Sequence, residues 1–235
     1  MDMLLIAGMW LDGTVWEDVL PGLAERGVRG VPVTLPGQGD GDARATYEDQ
    51  VAAVVAALDA SDADQVVVVG HSAASTLAWT AADARLDRVA GVVLIGGVPA
   101  TEGSAYFDYF EPVDGWLPFP GWEPFEGPDI ADLDEAARRD LAARTVAVPQ
   151  TVTSGVVRYG DPRRRDLPVA LLCPEFSPEE AREWIGSGDV PELEQAGALS
   201  LVDLDSGHWP MVSRPGELAA VLAEAGAAMR GVPAI

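Results

Sequence analysis

Ser72 stands in the stretch Val66-Val67-Val68-Val69-Gly70-His71-Ser72-Ala73-Ala74-Ser75. Four consecutive valines predict a strand buried on both faces, as in a parallel sheet. Small residues at positions 70 and 74 flank the serine, and a helix-forming run follows from Ser75 to Arg85. Strand, sharp turn and helix put the serine at the tip of a strained turn. There its hydroxyl is exposed, and the next N–H, that of Ala73, points at whatever the hydroxyl attacks. The chemistry this suits is nucleophilic attack, which needs a base to take the hydroxyl proton. The chain has two histidines. His71 lies inside the turn beside Ser72 and is read as packing. His208 lies in Gly207-His208-Trp209-Pro210, directly after the last predicted strand. It can accept the Ser72 proton and return it to a leaving group.

The elements that must position these residues follow in order. Met3–Ala7 is a short buried strand that runs into a glycine-bearing loop, Gly8 to Trp16, and a helix from about Glu17 to Arg26, with Trp16 as packing. Val28 to Leu35 is a second strand, and Pro36-Gly37-Gln38-Gly39-Asp40-Gly41 is turn-rich. Val51, Val54, Val55 and Leu58 mark an amphipathic helix over Tyr47–Leu58. Strands at Val89–Val98, Pro168–Pro174 and Leu199–Leu204 complete the sheet. Helices are expected at Ser177–Ile185, where Ser177 is an N-cap with Pro178 after it, and at Pro215–Met229. Strands alternating with helices give an α/β fold with a mostly parallel central sheet and flanking helices.

Between the strands at 89 and 168 the character changes. Tyr106, Phe107, Tyr109, Phe110, Trp116, Phe119, Trp122 and Phe125 fall within 20 positions, broken by prolines and glycines. Helical patches follow at Leu133–Thr145 and Thr151–Arg158. Residues 1–100 and 167–235 are read as the core and 101–166 as a helical, aromatic-rich insertion. An aromatic insertion suggests an apolar pocket for a small molecule. Trp10, Phe107, Phe110, Trp116, Trp122 and Trp209 are the candidate substrate contacts.

The chain carries 38 acidic residues against 15 arginines, no lysine and no asparagine, for a net charge of −23. Such a surface repels a phosphate backbone, so nucleic acid is not an expected partner. GC-rich codon usage or a halophilic source would each account for the balance. Arg163-Arg164-Arg165, the one basic cluster, reads as a solvated loop. No apolar run is long enough to span a membrane, no N-terminal leader is apparent, and the single Cys173 cannot form an internal disulfide. A cytoplasmic protein is expected. Two distant histidines and one cysteine give no metal cluster, and no phosphate-binding glycine signature is present, so no cofactor is expected. The oligomeric state is not legible.

Together these motifs resemble the α/β-hydrolase fold superfamily, and most of all its small capped members: esterases, plant methylesterases and hydroxynitrile lyases. The resemblance covers the elbow around Ser72, the Leu35–Gly39 turn, the aromatic insertion as a cap, and the His208 loop. It implies Ser72 as nucleophile, His208 as base, and the N–H groups of Met9 and Ala73 as the oxyanion hole. Two departures stand out. Ala74 replaces the usual last glycine of the elbow, and Ala7 stands where a histidine often precedes the oxyanion glycine.

The acid of the triad departs furthest. Where the family usually places an aspartate, this chain has Ser177, and the alternative position at the end of the preceding strand is Gly96-Gly97. Glu175, two residues early in the same loop, is the preferred candidate, with Glu102 as another; Asp203 and Asp205 lie too close to His208 along the chain. Losing the acid lowers the rate on the order of 10⁴. So either a glutamate supplies it or the protein works as a Ser–His dyad. The expected function is a serine hydrolase acting on a small, largely apolar ester, lactone or thioester. A non-hydrolytic cyclase, lyase or isomerase on a polyketide- or terpenoid-like molecule is the alternative, and a small-molecule receptor ranks third.

Overall fold

A computed structural model describes residues 1–229. Its centre is a six-stranded sheet in the order β2-β1-β3-β4-β7-β8, with every neighbouring pair parallel. The chain runs β1 (Asp2–Ile6), α1 (Leu20–Glu25), β2 (Arg29–Pro32), α2 (Tyr47–Asp59), β3 (Val66–His71), α3 (Ala74–Ala84) and β4 (Val89–Ile95). After the insertion come β7 (Pro168–Cys173), α6 (Pro178–Ser187), α7 (Pro191–Glu194), β8 (Ala198–Asp203), α8 (Pro210–Ser213) and α9 (Pro215–Met229).

The valine run behaves as its lack of alternation requires. Val66, Val67, Val68 and Val69 have no exposed surface and sit between β1 and β4. Their side chains alternate between two apolar cores. Val66 and Val68 pack with α2 and α3 on one face, Val67 and Val69 with α1 and α9 on the other. Burying each contributes about 1.5–3 kcal/mol, so the strand that carries Ser72 is among the best anchored in the molecule. Capping boxes start α2 (Thr46 with Asp49) and α6 (Ser177 with Glu180).

The insertion, residues 101–166, is less helical than its sequence suggests. It contains β5 (Trp116–Leu117), α4 (Glu135–Arg144), β6 (Val148–Pro149) and a single turn, α5 (Gln150–Thr153). The expected helix over 151–158 stops at Thr153, because residues 155–157 pair back onto 104–106 instead. The helix expected from 17 to 26 likewise shortens to α1, preceded by a 3-10 turn at Gly13–Trp16. Trp16 is fully buried, as packing demands.

The arginine cluster corrects the sequence reading. Arg164 is buried, and its guanidinium binds Glu192 twice, at 2.8 and 2.9 Å. The same carboxylate accepts from Trp79 Nε1 at 2.9 Å. Asp83 of α3 accepts the Gly160 and Asp161 N–H groups, and Arg164 lies over the Tyr159 ring. The end of the insertion is thus tied to α3 and α7 by buried charge; of the three arginines, only Arg163 is a solvated one. No helix among the described residues is long and apolar enough to cross a membrane.

Candidate active site

Ser72 lies between β3 and α3 with φ of 53°, in the left-handed region that few non-glycine residues occupy. The turn closes only because its neighbours are small. A Cβ on Gly70 would lie 2.4 Å from the Ala74 carbonyl oxygen, and one on Gly97 would lie 2.4 Å from that of Ser72. Ala74 fits in place of glycine, fully buried as the first residue of α3. The Ser72 N–H donates to the Ile95 carbonyl at 2.8 Å, which fixes the turn to β4.

The loop after β1 reaches the same point. A Cβ on Gly8 would stand 3.1 Å from Ser72 Cβ. Gln38, buried in the turn after β2, donates through Nε2 to the carbonyls of Gly8 and Leu11 at 2.7 and 2.5 Å. Met9 and Ala73 both line the cavity above Ser72, and among the described residues neither N–H has an acceptor. Two free N–H groups beside a nucleophile can hold the oxygen on which charge develops. Nothing in the sequence marks Gln38 for this task beyond its place in a glycine-rich turn.

His208 is held on three sides. Its Nδ1–H donates to Glu175 Oε1 at 2.6 Å. Its main-chain N–H donates to the Asp129 carbonyl at 2.8 Å. Its own carbonyl accepts from His71 Nε2 at 2.7 Å. Since a carboxylate only accepts, the proton sits on Nδ1 and the Nε2 lone pair is free to act as a base. Gly96 makes room for the pair: its φ is 56°, and a Cβ there would lie 3.1–3.2 Å from both Glu175 oxygens and from His208 Nδ1. The empty side-chain position at 96 is filled by the longer acid from the next strand. Glu102, in contrast, is exposed in the 101–104 loop.

His71 is more than packing. It is buried, and burial holds its pKa down at about 3, so the ring stays neutral and its Nε2–H always donates. No hydrogen bond joins Ser72 to His208 among the described residues; such bonds commonly tighten only with substrate in place. The two residues share one cavity of about 530 Å³.

The cavity wall is aromatic. Trp10, Phe107, Phe110 and Trp209 line it, as do Tyr106, Tyr109 and Phe125. Trp10, with φ of 66°, meets the rings of Phe107, Phe110, Phe119 and Phe125 at 5.5–6.1 Å. Trp116 and Trp122 are not on the wall. Trp116 pairs with Pro149 in the small ribbon, and Trp122 packs edge-on behind Trp209 at 5.3 Å. Alternation of aromatic and non-aromatic residues in a loop does not reveal which rings face inward; Phe125, which does, sits at the end of a 3-10 turn.

A sequence profile of the alpha/beta hydrolase family matches residues 3–221. Lipase LipV of Mycobacterium tuberculosis (strain ATCC 25618 / H37Rv) is 32% identical over 127 residues, 48% of this chain; the match spans 47% of that protein, about half its length. Among solved structures, a pyrethroid hydrolase from Sphingobium faniae JZ-2 superposes with a TM-score of 0.73 at 20% identity over 99% of each chain. A variant of tomato methylketone synthase I complexed with beta-ketoheptanoate gives 0.69 at 12% identity, over 97% of each chain.

Proposed function

The chain belongs to the alpha/beta hydrolase family, and from that premise we propose that it is a serine hydrolase for a small, largely apolar ester, lactone or thioester. One observation carries the reading most strongly. Glu175 binds Nδ1 of His208, and His208 lines the same cavity as Ser72 at its strained turn. In this reading Ser72 Oγ attacks the acyl carbon while His208 Nε2 takes its proton. Glu175 keeps the imidazole in the required tautomer and stabilises its charged form. The N–H groups of Met9 and Ala73 receive the developing oxyanion. His208 then passes the proton to the departing alcohol or thiol, and water releases the acid from Ser72 by the same steps in reverse.

The 101–166 insertion serves as the cap, closing an apolar wall over the acyl centre. Trp10, Phe107, Phe110 and Trp209 contact the substrate, joined by Phe125. Trp122 acts behind them by supporting Trp209, and Trp116 has no substrate role. The free, buried Cys173 is compatible with a reducing compartment, and we place the protein in the cytoplasm.

A lyase acting on a β-keto acid, the class of ligand in the tomato structure, would have to hold a carboxylate. Here the cavity wall carries Asp108, Asp129 and Asp189 and, among the described residues, no arginine, which favours a substrate without negative charge. The test is turnover of p-nitrophenyl butyrate and its thioester analogue. Wild-type protein hydrolyses at least one, and Ser72→Ala lowers kcat by roughly 10³-fold or more. Equal turnover by Ser72→Ala would end the reading.

A further inference from the structure

The charge pattern of the cavity goes beyond what ester cleavage requires. Asp129 lies in the short 3-10 turn Pro128–Ile130 of the insertion. Its carbonyl holds the His208 N–H, but its carboxylate lines the cavity and, among the described residues, pairs with no other side chain. Burial raises its pKa above the ordinary carboxylate value, with the nearby Glu175 carboxylate adding to the rise and His208 opposing it. Asp108 and Asp189 add two more carboxylates at the exposed rim. Among the described residues no arginine lines the cavity, and the chain has no lysine at all.

Seven aromatic side chains also line the cavity, among them Trp10, Phe125 and Trp209; ring faces carry negative quadrupole charge and attract cations, best of all those with little hydration to lose. Phe125 and Trp209 pack on each other at 5.2 Å and flank His208. An anion entering this cavity meets three carboxylates and, among the described residues, no arginine. A neutral apolar group leaves the half-buried Asp129 carboxylate without a partner. An ammonium wrapped in alkyl groups satisfies both the carboxylate and the rings. The net charge of −23 draws cations toward the mouth and repels anions over longer range.

The Asp129 turn also bears on which half of the ester would carry the charge. His208 must hand its proton to the departing alcohol, so the alcohol lies on the His208 side of Ser72. That is the side on which the Asp129 turn is bonded to His208. Resting on the serine-hydrolase reading of this cavity, we propose that the preferred substrate is an ester whose alcohol carries an alkylated ammonium group, held by Asp129, Phe125 and Trp209. In the reaction Ser72 Oγ bonds to the acyl carbon and the ester C–O bond breaks. The amino alcohol leaves with the proton that His208 took from Ser72, and water then frees the carboxylic acid.

Three butyrate esters of matched size test this: those of choline, of 3,3-dimethylbutan-1-ol and of 3-hydroxypropanesulfonate. At low ionic strength kcat/KM for the choline ester exceeds that for its neutral isostere by about tenfold, and the sulfonate ester falls about tenfold or more below the neutral one. Asp129→Asn brings the choline-to-neutral ratio close to one, whatever it does to either rate alone. Calorimetry with the free alcohols, which needs no turnover, shows choline binding more tightly than 3,3-dimethylbutan-1-ol. Equal kcat/KM for the choline and neutral esters, with equal binding of the two alcohols, would overturn the ammonium subsite and leave the hydrolase reading intact. Tighter binding of choline with no hydrolysis of any ester would keep the subsite and overturn the hydrolase reading. Neither preference nor hydrolysis would overturn both.

Discussion

The two sides of the cavity are built from different physics. On the core side, His208 is fixed by directional polar contacts: Glu175 on its ring, His71 on its carbonyl, and Asp129 of the insertion on its N–H. On the insertion side, Phe107, Phe110 and Phe125 meet one another and Trp10 of the core in edge-to-face and tilted pairs over 5.7–6.2 Å and depend on shape and apolar contact. Hydrogen bonds weaken steeply with angle, so the first side tolerates little displacement. Ring packing tolerates exchange of one apolar group for another of similar volume. The contrast assigns rate to the core and selectivity to the insertion, and it can be broken at several points.

The largest effect is expected at the acid. Glu175→Gln retains the size of the side chain but no longer stabilises an imidazolium. It is expected to lower kcat by ~10³–10⁴ with little change in KM. Steady-state kinetics on an ester substrate check this, and a kcat within tenfold of wild type would assign the acid elsewhere. Glu102→Gln, by the same assay, leaves kcat unchanged within twofold.

Next in size is the ion cluster that ties the insertion to the core. Glu192→Ala strands the buried Arg164 guanidinium and removes an acceptor from Trp79. Breaking a buried pair from one side costs about 3–5 kcal/mol. Urea unfolding is expected to show a loss of that order. A loss below 1 kcal/mol would mean that the insertion is held by its apolar contacts alone.

The acid limb of the stability curve tests His71. Burial lowers its folded pKa to about 3, against an ordinary value of 6.5. As pH falls, the unfolded chain takes up a proton that the folded one refuses. The His71 contribution is therefore complete above about pH 6.5 and is lost as pH drops toward 3, at ~1.4 kcal/mol per pH unit. His71→Gln, which keeps a donor but does not titrate, flattens this slope, while the carboxylates common to both proteins cancel in the difference. Unfolding free energies at pH 7 and pH 5 measure it, and parallel curves would show that His71 is not the titrating group.

The smallest effect is expected on the wall. Phe125→Leu preserves an apolar contact and is expected to raise KM for an apolar ester a few-fold, with kcat held within about twofold. A kcat loss as large as that of Glu175→Gln would erase the division between the two sides.

Much of this architecture is legible in the sequence because short-range rules dominate it. A valine run without alternation can only be a doubly buried strand, and Gly70-x-Ser72-x-Ala74 can only be a tight turn if it joins that strand to a helix. Glu175 could be singled out by its loop but not assigned, because the space it fills is made by Gly96 from another strand. Arg164 was illegible for the same reason: its partners Glu192 and Asp83 are 28 or more positions away along the chain but adjacent in the fold. His71 reads as packing until the carbonyl it supports, that of His208, is brought to it by the fold. The insertion was least legible, since its rings sit on irregular backbone where no period separates inward from outward.

One measurement bears most directly on the claim that Glu175 and His208 activate Ser72. The protein is treated with a fluorophosphonate, and the rate at which the Ser72 peptide gains mass is followed in wild type, Ser72→Ala, His208→Ala and Glu175→Gln. The account predicts labelling of the wild type at Ser72, none in Ser72→Ala, and labelling slowed on the order of a hundredfold or more in the other two. Labelling of Ser72 at the wild-type rate in His208→Ala, or a wild-type protein that neither this probe nor a smaller acylating reagent modifies, would contradict it.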